Sequence, residues 1–338
     1  MPRTWWCPLI HSSAARIDAL ERPDIDPTLE YLQPVDATTL ASALGMTEQG
    51  LWGLVHTVHK QYHCVDIPKK SGGTRRLHLP TPGLAWAQTR ILDAFLNRVH
   101  YPEHVTAYVR GRSTLDAAQK HAGHPILIVV DLKDFFLSTP RLWVRTAIET
   151  ELKQTHRVAS LLATLTTAPT EPGVRGRFIV PQGAATSGAV ANLVAMGRLD
   201  PQMLEIAARH DLVYSRYADD LAFSVKTEIG HAATGELVRE ILQGVRASGY
   251  LPNYDKVRVQ RTNTQQRLLG LCVNAHPNLP CRTYRTVRAL AHSVRVRGAD
   301  YTAARYGYAS AEALEAYLRG MAAYTHHVAP GKVRGVVP

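Results

Sequence analysis

Cysteine is scarce: the 338 residues contain four, at positions 7, 64, 272 and 281, with no CxxC spacing. That excludes a disulfide framework and a thiolate-built zinc site, and makes reduced thiols the expectation. Long apolar runs are missing as well. No stretch reaches the roughly 18–20 residues that cross a bilayer. The opening MPRTWWCPLIHSS is short and broken by Pro8, unlike a signal peptide. The expectation is a soluble, cytoplasmic protein with no membrane partner. Internal repeats and low-complexity linkers are also absent, which suggests parts packed as one continuous unit.

Acidic residues fall short of basic ones, 28 Asp and Glu against 39 Lys and Arg, for a net charge of +11. A surplus of that size suits a polyanionic partner, nucleic acid or nucleotide; a basic surface without a specific partner is the alternative. HTVHKQYHC sets His56, His59 and His63 on roughly one helical face. A metal site and three solvated or core histidines both fit that spacing.

Residues 1–60 read as mainly helical, as do THRVASLLATL and TGELVREILQGVRAS. Between them lie short β-rich runs: YHCVDIPK, RFIVP, LVYSRYADDLAFSV and KVRVQRT. PILIVVDLKDFF (125–136) is a fully buried strand by composition, with Asp131 at its end. From about residue 282 the chain returns to helix, where Arg285, Arg288, His292 and Arg295 recur at spacings of three and four and so share a face.

RYADDLAF (216–223) places two adjacent acids within a strand-like stretch. If folding brings Asp219 and Asp220 to Asp131, three carboxylates converge, and like charges that close raise each other's pKa. Divalent cations relieve this, Mg²⁺ being a hard ion that takes one or two carboxylates plus phosphate oxygens. Two such ions about 3.5–4 Å apart stabilise the attacking and leaving oxygens of a phosphoryl displacement. A polar hairpin turn is the plain alternative for the pair alone.

Three ordered segments carry a family resemblance. YADD (217–220) is similar to the YxDD signature of reverse transcriptases, VVDLKDFF to their first catalytic-aspartate motif, and PQGAATSGAVANLVA (181–195) to their PQG-x-x-TSP-x-x-N segment. Within that family the chain most resembles the bacterial retron enzymes. AYVRGRSTLDAAQKH (107–121) is similar to their GR-S-x-x-x-NA-x-x-H stretch, with Ala117 in place of the Asn and Ala118 and His121 matching. LLGLCVNAHPNLPCRTYRTVRALAHSV (268–294) is similar to their VTG-L-x-V-N segment, keeping only Gly270 of the triplet, and YLRGMAAYTHHVAPGK to their closing thumb. No maturase, endonuclease or RNase H extension is expected.

The resemblance implies an α+β right-hand polymerase: fingers, a palm of antiparallel sheet backed by helices, and a helical thumb. Boundaries follow as an N-terminal helical extension (1–50), fingers and palm (51–262), and a thumb with its RNA- and primer-binding region (263–338). Asp131, Asp219 and Asp220 become the catalytic and metal-binding set, holding two Mg²⁺ with Mn²⁺ as a substitute. Phe136 would be the aromatic steric gate beneath the incoming sugar; a core Phe beside Phe135 is the alternative. Gln182 and Gly183 match the PQG turn at the nascent base pair, glycine allowing close backbone approach.

Lys69, Lys70, Arg75 and Arg76 flank SGG on a basic, flexible hairpin tip suited to a triphosphate, with Arg76 the first choice and Lys70 the second. Lys256 matches the family's lysine after the active site and would assist pyrophosphate departure as a general acid. Gly270 would belong to the primer grip. Arg285, Arg288 and Arg295 would track a phosphate backbone, a solvated basic face being the alternative. Arg110 and Arg112 would touch template or RNA phosphates.

The partners implied are a structured non-coding RNA serving as template and primer, its cDNA, dNTPs and a retron effector protein. The product would be branched RNA–DNA (msDNA), primed from an RNA 2′-hydroxyl and used in antiphage defence. A defence-associated or intron-derived reverse transcriptase with another primer is one alternative. A catalytically silent RNA-binding scaffold is another, disfavoured because all three acids, the PQG and the gate aromatic occur together.

Overall fold

The structure, a computed structural model, describes residues 36–69 and 72–332. Helices Ala37–Leu44 and Glu48–Thr57 lead into an antiparallel hairpin of β1 (Tyr62–Pro68) and β2 (Thr74–Pro80). Its turn contains Gly72 and Gly73 at positive φ, which gives this basic tip its tight reversal. Helices Pro82–Ala94, Arg141–Glu151 and His156–Leu165 join the first two around a core that includes Leu40, Leu51, Leu84, Ile91, Ile148 and Leu162.

The centre is a four-stranded antiparallel sheet. β3 (Ile126–Asp131) lies between β7 (Asp220–Val225) and β8 (Arg258–Arg261), and β6 (Leu212–Tyr217) closes the far edge beyond β7. Two-residue ladders, β4 (Ala168–Pro169) with β5 (Phe178–Ile179) and β9 (Arg267–Leu268) with β10 (Leu271–Cys272), lie outside it. All six β3 residues are buried, so the ILIVVD run has no polar alternation. Ile126, Ile128 and Val130, with Leu221 and Phe223, meet helices Ser187–Arg198, Asp200–Arg209 and His231–Ala247 through Ala195, Met203, Leu237 and Ile241. Each such aliphatic side chain contributes roughly 1.5–3 kcal/mol by leaving water.

Helix Thr114–His121, opened by a Ser113–Asp116 capping box, covers part of the opposite sheet face. Its last residue, His121, is buried between two serines, Nε2 to Ser215 Oγ at 2.7 Å and Nδ1 to Ser224 Oγ at 2.8 Å. The histidine of the NA-x-x-H element thus clamps β6 to β7 from within the core, and Ala117 and Ala118 are buried beside it. Burial holds the His121 imidazole at a pKa of about 3, against 6.5 when exposed.

A lowered folded-state pKa favours the neutral form, so the unfolded chain takes up the proton first and stability falls as pH drops below about 6.5. Between pH 7 and pH 5 this group should remove about 2 kcal/mol of unfolding free energy. Denaturant melts at both pH values, on the parent and on His121→Gln, measure it. Equal pH dependence in the two proteins would show that His121 is not the group responsible.

The described chain divides between His276 and Pro277 into two compact units, where the absence of linker composition suggests one. In the second, helices Cys281–Arg297, Ala299–Tyr306 and Ala311–Val328 close around Val287, Leu290, Ala291, Leu314 and Leu318. No helix among the described residues is long and apolar enough to cross a membrane. Cys64, Cys272 and Cys281 are free thiols; Cys7 lies outside the described residues, as does the helical extension expected before residue 36. His56 stacks on Trp52 and His59 is buried, and no group of three or more His, Cys, Asp or Glu among the described residues is arranged to hold a metal.

Candidate active site

β3 ends at Asp131, and the β6–β7 hairpin turns at Ala218 and Asp219. Register pairs Asp131 with Asp220, and the Leu132 amide donates to the Asp219 carbonyl at 2.9 Å. Folding therefore joins the two acidic motifs backbone to backbone. Side chains alternate along a strand, so Asp131 and Asp220 share the face of Val129 and Ala222, away from the core that holds Val130 and Leu221. Ala218 takes φ 56°, a left-handed conformation that strains a residue with a Cβ.

Two side chains address Asp131. Lys256 Nζ lies 2.9 Å from Oδ1, and Asn253 Nδ2 donates to Oδ2 at 3.1 Å. The Asn253 amide also donates to the Asp131 carbonyl at 2.7 Å. Among the described residues no Lys or Arg forms an ion pair with Asp219 or Asp220, although Lys256 acts electrostatically on both. Burial, with the charge of Asp131 adding to it, raises the Asp219 pKa. Burial, then Asp219 and Asp131, pushes Asp220 up to about 6. The site thus gathers three carboxylates whose charge Lys256, Arg75 and Arg258 offset only in part. These three acids, like every other group of three or more His, Cys, Asp or Glu among the described residues, are not arranged to hold a metal ion by themselves. Mg²⁺ needs only one or two carboxylates from the protein, the rest of its shell coming from phosphate oxygens and water.

Beneath the hairpin runs a buried polar network. The Arg216 guanidinium, 0% exposed, grips Asp200 with Nε and Nη2, each at 2.8 Å, and donates from Nη1 to Asn192 Oδ1 at 2.7 Å. Tyr214 donates to Asp200 at 2.8 Å, and Asn192 donates on to the Ala107 carbonyl at 2.7 Å. Burial opposes charge on Asp200, but Arg216 and His104 outweigh it and hold the pKa at about 2. This network ties the PQG-to-Asn segment to the strand that delivers YADD. Sequence reading does not single out Asp200 or Arg216, because neither shows a burial signal in its own neighbourhood.

The other expected residues fall into groups. Phe136 is half-buried, meeting Phe135 at 5.5 Å and Tyr108 at 6.2 Å between ring centroids. The Gln182 carbonyl accepts from the His78 amide at 2.8 Å, and Gly183, at φ 116°, lies where a Cβ would approach the Leu79 side chain to 3.2 Å. That contact fastens the PQG turn to β2. Arg76 pairs across the hairpin with Asp66, Nε to Oδ1 at 3.1 Å. Its neighbour Arg75 points to the other face, and its charge offsets a small part of the rise that burial gives the pKa of Asp219 and Tyr108. Strand alternation distinguishes Arg75 from Arg76 only once the register is known. Lys70 lies outside the described residues.

Arg112, expected on nucleic-acid phosphate, donates to the backbone carbonyls of Tyr101, Pro102 and Val105 and so braces the loop ahead of it. Arg110 is exposed. Leu269 and Gly270 both take positive φ in the β9–β10 turn. Arg285, Arg288, His292 and Arg295 are exposed along one helix face and line a hollow of about 420 Å³.

Comparison with known proteins places this geometry in a family. The family described as "Reverse transcriptase (RNA-dependent DNA polymerase)" matches residues 67–273. The chain is 34% identical over 326 residues to the Retron Mx162 reverse transcriptase of Myxococcus xanthus, covering 88% of this chain and 65% of that protein. It is 32% identical over 328 residues to the Retron Mx65 reverse transcriptase of the same organism, covering 91% and 72%. Among solved structures it is similar to a Candida albicans telomerase in complex with a fragment of telomeric RNA, at TM-score 0.46 and 12% identity, covering 81% of this chain and 56% of that one. The chain, with its antiparallel sheet and helices and its acids at the meeting of β3 and the YADD hairpin, belongs to the reverse transcriptase family and to its bacterial retron type.

Proposed function

We propose that this protein synthesises DNA on an RNA template from dNTPs, initiating on a 2′-hydroxyl of its own structured RNA to give a branched RNA–DNA product that serves antiphage defence with an effector partner. The observation that carries the polymerase reading is the convergence of Asp131 with Asp219 and Asp220: burial and the charge of Asp131 raise the Asp219 pKa, and burial, Asp219 and Asp131 raise that of Asp220.

Asp131, Asp219 and Asp220 would hold Mg²⁺. When bound, it supplies the positive charge that stabilises the attacking and leaving oxygens of phosphoryl transfer. The chain's own residues do the rest. Arg75, on the hairpin face opposite Arg76, would take a triphosphate oxygen, ahead of Arg76, which Asp66 already engages. The hydrogen bond to Asp131 raises the Lys256 pKa, which supports a fixed positive charge near the triphosphate over proton donation to pyrophosphate. Phe136 would exclude a 2′-hydroxyl, and Gln182, on its fastened turn, would meet the nascent base pair. Fingers and palm would lie within residues 51–262 and the thumb within 263–338, with Gly270 at the primer grip and the Arg285, Arg288 and Arg295 face along a phosphate backbone.

Sequencing the nucleic acid that co-purifies with the protein, with and without debranching enzyme, tests the priming reading. The expected result is a short cDNA joined to one internal RNA nucleotide and released by debranching. A cDNA with an ordinary 5′ end, indifferent to debranching, would replace the 2′-hydroxyl primer with another.

A further inference from the structure

Tyr108 is a large ring left in the open, 57% exposed, with its backbone at φ 53°. For a bulky residue that conformation is an outlier, and such strain persists only where surrounding contacts hold it. Two contacts do. One face lies on Gly188, the second residue of helix Ser187–Arg198, so closely that a Cβ there would come within 2.4 Å of Tyr108 Cγ. The other is an edge-to-face contact with Phe136, centroids 6.2 Å apart and planes at 69°.

Phe136 in turn touches Phe135, which is buried and packs on Tyr250 at 5.4 Å. The gate ring is thus held from the core side by Phe135 and from the open side by Tyr108. Asp219 and Tyr217 both act electrostatically on the Tyr108 phenol, which sets it at the mouth of the carboxylate site. Position 188 corresponds to the proline of the TSP element in the resemblance. Glycine there leaves the space that the Tyr108 ring fills.

We propose that Tyr108 is a positioning residue which fixes the Phe136 ring and thereby sets discrimination between deoxyribo- and ribonucleotides. The inference rests on the reading of Phe136 as the ring beneath the incoming sugar. Side chains rotate among staggered wells, and a ring contacted on one side only has more of them open. Removing Tyr108 leaves Phe135 in place, so the core keeps its packing while the gate loses its outer stop. The phenol hydroxyl has no part in this, and a phenylalanine at 108 should serve as well.

The test measures dTTP and UTP incorporation on an oligo(rA) template with an annealed oligo(dT) primer, alongside each variant's melting temperature. Phe136→Ala should raise relative UTP use and verify the gate itself. Tyr108→Leu should raise it about tenfold, the scale of a lost apolar contact in a discriminating pocket. Tyr108→Phe should leave it unchanged. Gly188→Ala, which displaces the ring without removing it, should raise UTP use in the parent but add nothing to Tyr108→Leu, because the two act through one contact. If Phe136→Ala does not alter the ratio, the gate reading falls and this inference with it. If Phe136→Ala raises the ratio while Tyr108→Leu and Gly188→Ala do not, the gate stands and the positioning role of Tyr108 is refuted.

Discussion

Asp219→Asn combined with Asp220→Asn should lower dNTP incorporation by at least about 10³-fold, a loss typical of removing preorganised charge stabilisation from a reacting phosphate. The same double substitution should not destabilise the fold. Burial, then the charges of Asp219 and Asp131, raise the Asp220 pKa to about 6 in the folded state, above the 3.8 of an exposed aspartate. A raised carboxyl pKa means that the charged form is disfavoured by folding. At neutral pH Asp220 therefore subtracts stability, and this deficit is relieved as pH falls through 6 toward 4. The amide removes the charge with little change of shape, so melting temperature at pH 7 should stay level or rise.

Activity and stability are expected to move in opposite directions, the pattern of a site that stores unfavourable charge for function. Primer-extension rates and thermal melts on the same preparations measure both. Incorporation near the parental rate would remove these acids from the chemistry. A collapse in melting temperature would mean that they serve the hairpin instead.

Asp200→Ala should do the reverse, destabilising the protein by about 3–5 kcal/mol before any effect on chemistry is read, because it leaves a buried guanidinium without its counter-ion. Arg216 is fully buried, and Asp200 is its only carboxylate partner among the contacts described, gripping it through two oxygens. A folded domain commonly has only about 5–15 kcal/mol in hand, so the variant should melt early or fail to accumulate.

Adding Arg216→Met to Asp200→Ala should recover part of the loss, since the orphaned charge then disappears and methionine fills much of the volume. Chemical unfolding of the two single variants and the double forms the cycle. A cost below about 1 kcal/mol for Asp200→Ala would show that water reaches Arg216 and that the network is not what carries the hairpin. The consequence for function is direct, because Arg216 sits in β6 immediately before the tyrosine of YADD.

Local pattern accounts for much of the fold. The five-residue apolar run before Asp131 was legible as a buried strand because β3 is covered on both faces. The helices at 156–165 and 231–247 were legible because each buries one stripe, through Leu161, Leu162 and Leu165 in the first and Leu237, Ile241 and Val245 in the second. No local sign in the sequence tells that three backbone carbonyls lie within reach of Arg112. His121 is legible from sequence only as a matching motif position, and its partners, two serines of strands far along the chain, appear only in the fold.

The amino-acid order alone determined which residue types stand at the ends of the strands, the acids at 131, 219 and 220 above all, and the family to which that order belongs. Those are properties of neighbours along the chain, where spacing and periodicity are enough. Tertiary structure decided which of Arg75 and Arg76 pairs with Asp66, which arginine is buried, and which ring leans on Phe136. Each depends on register and packing between segments distant in sequence, and a one-residue slip in a strand would reverse the answer.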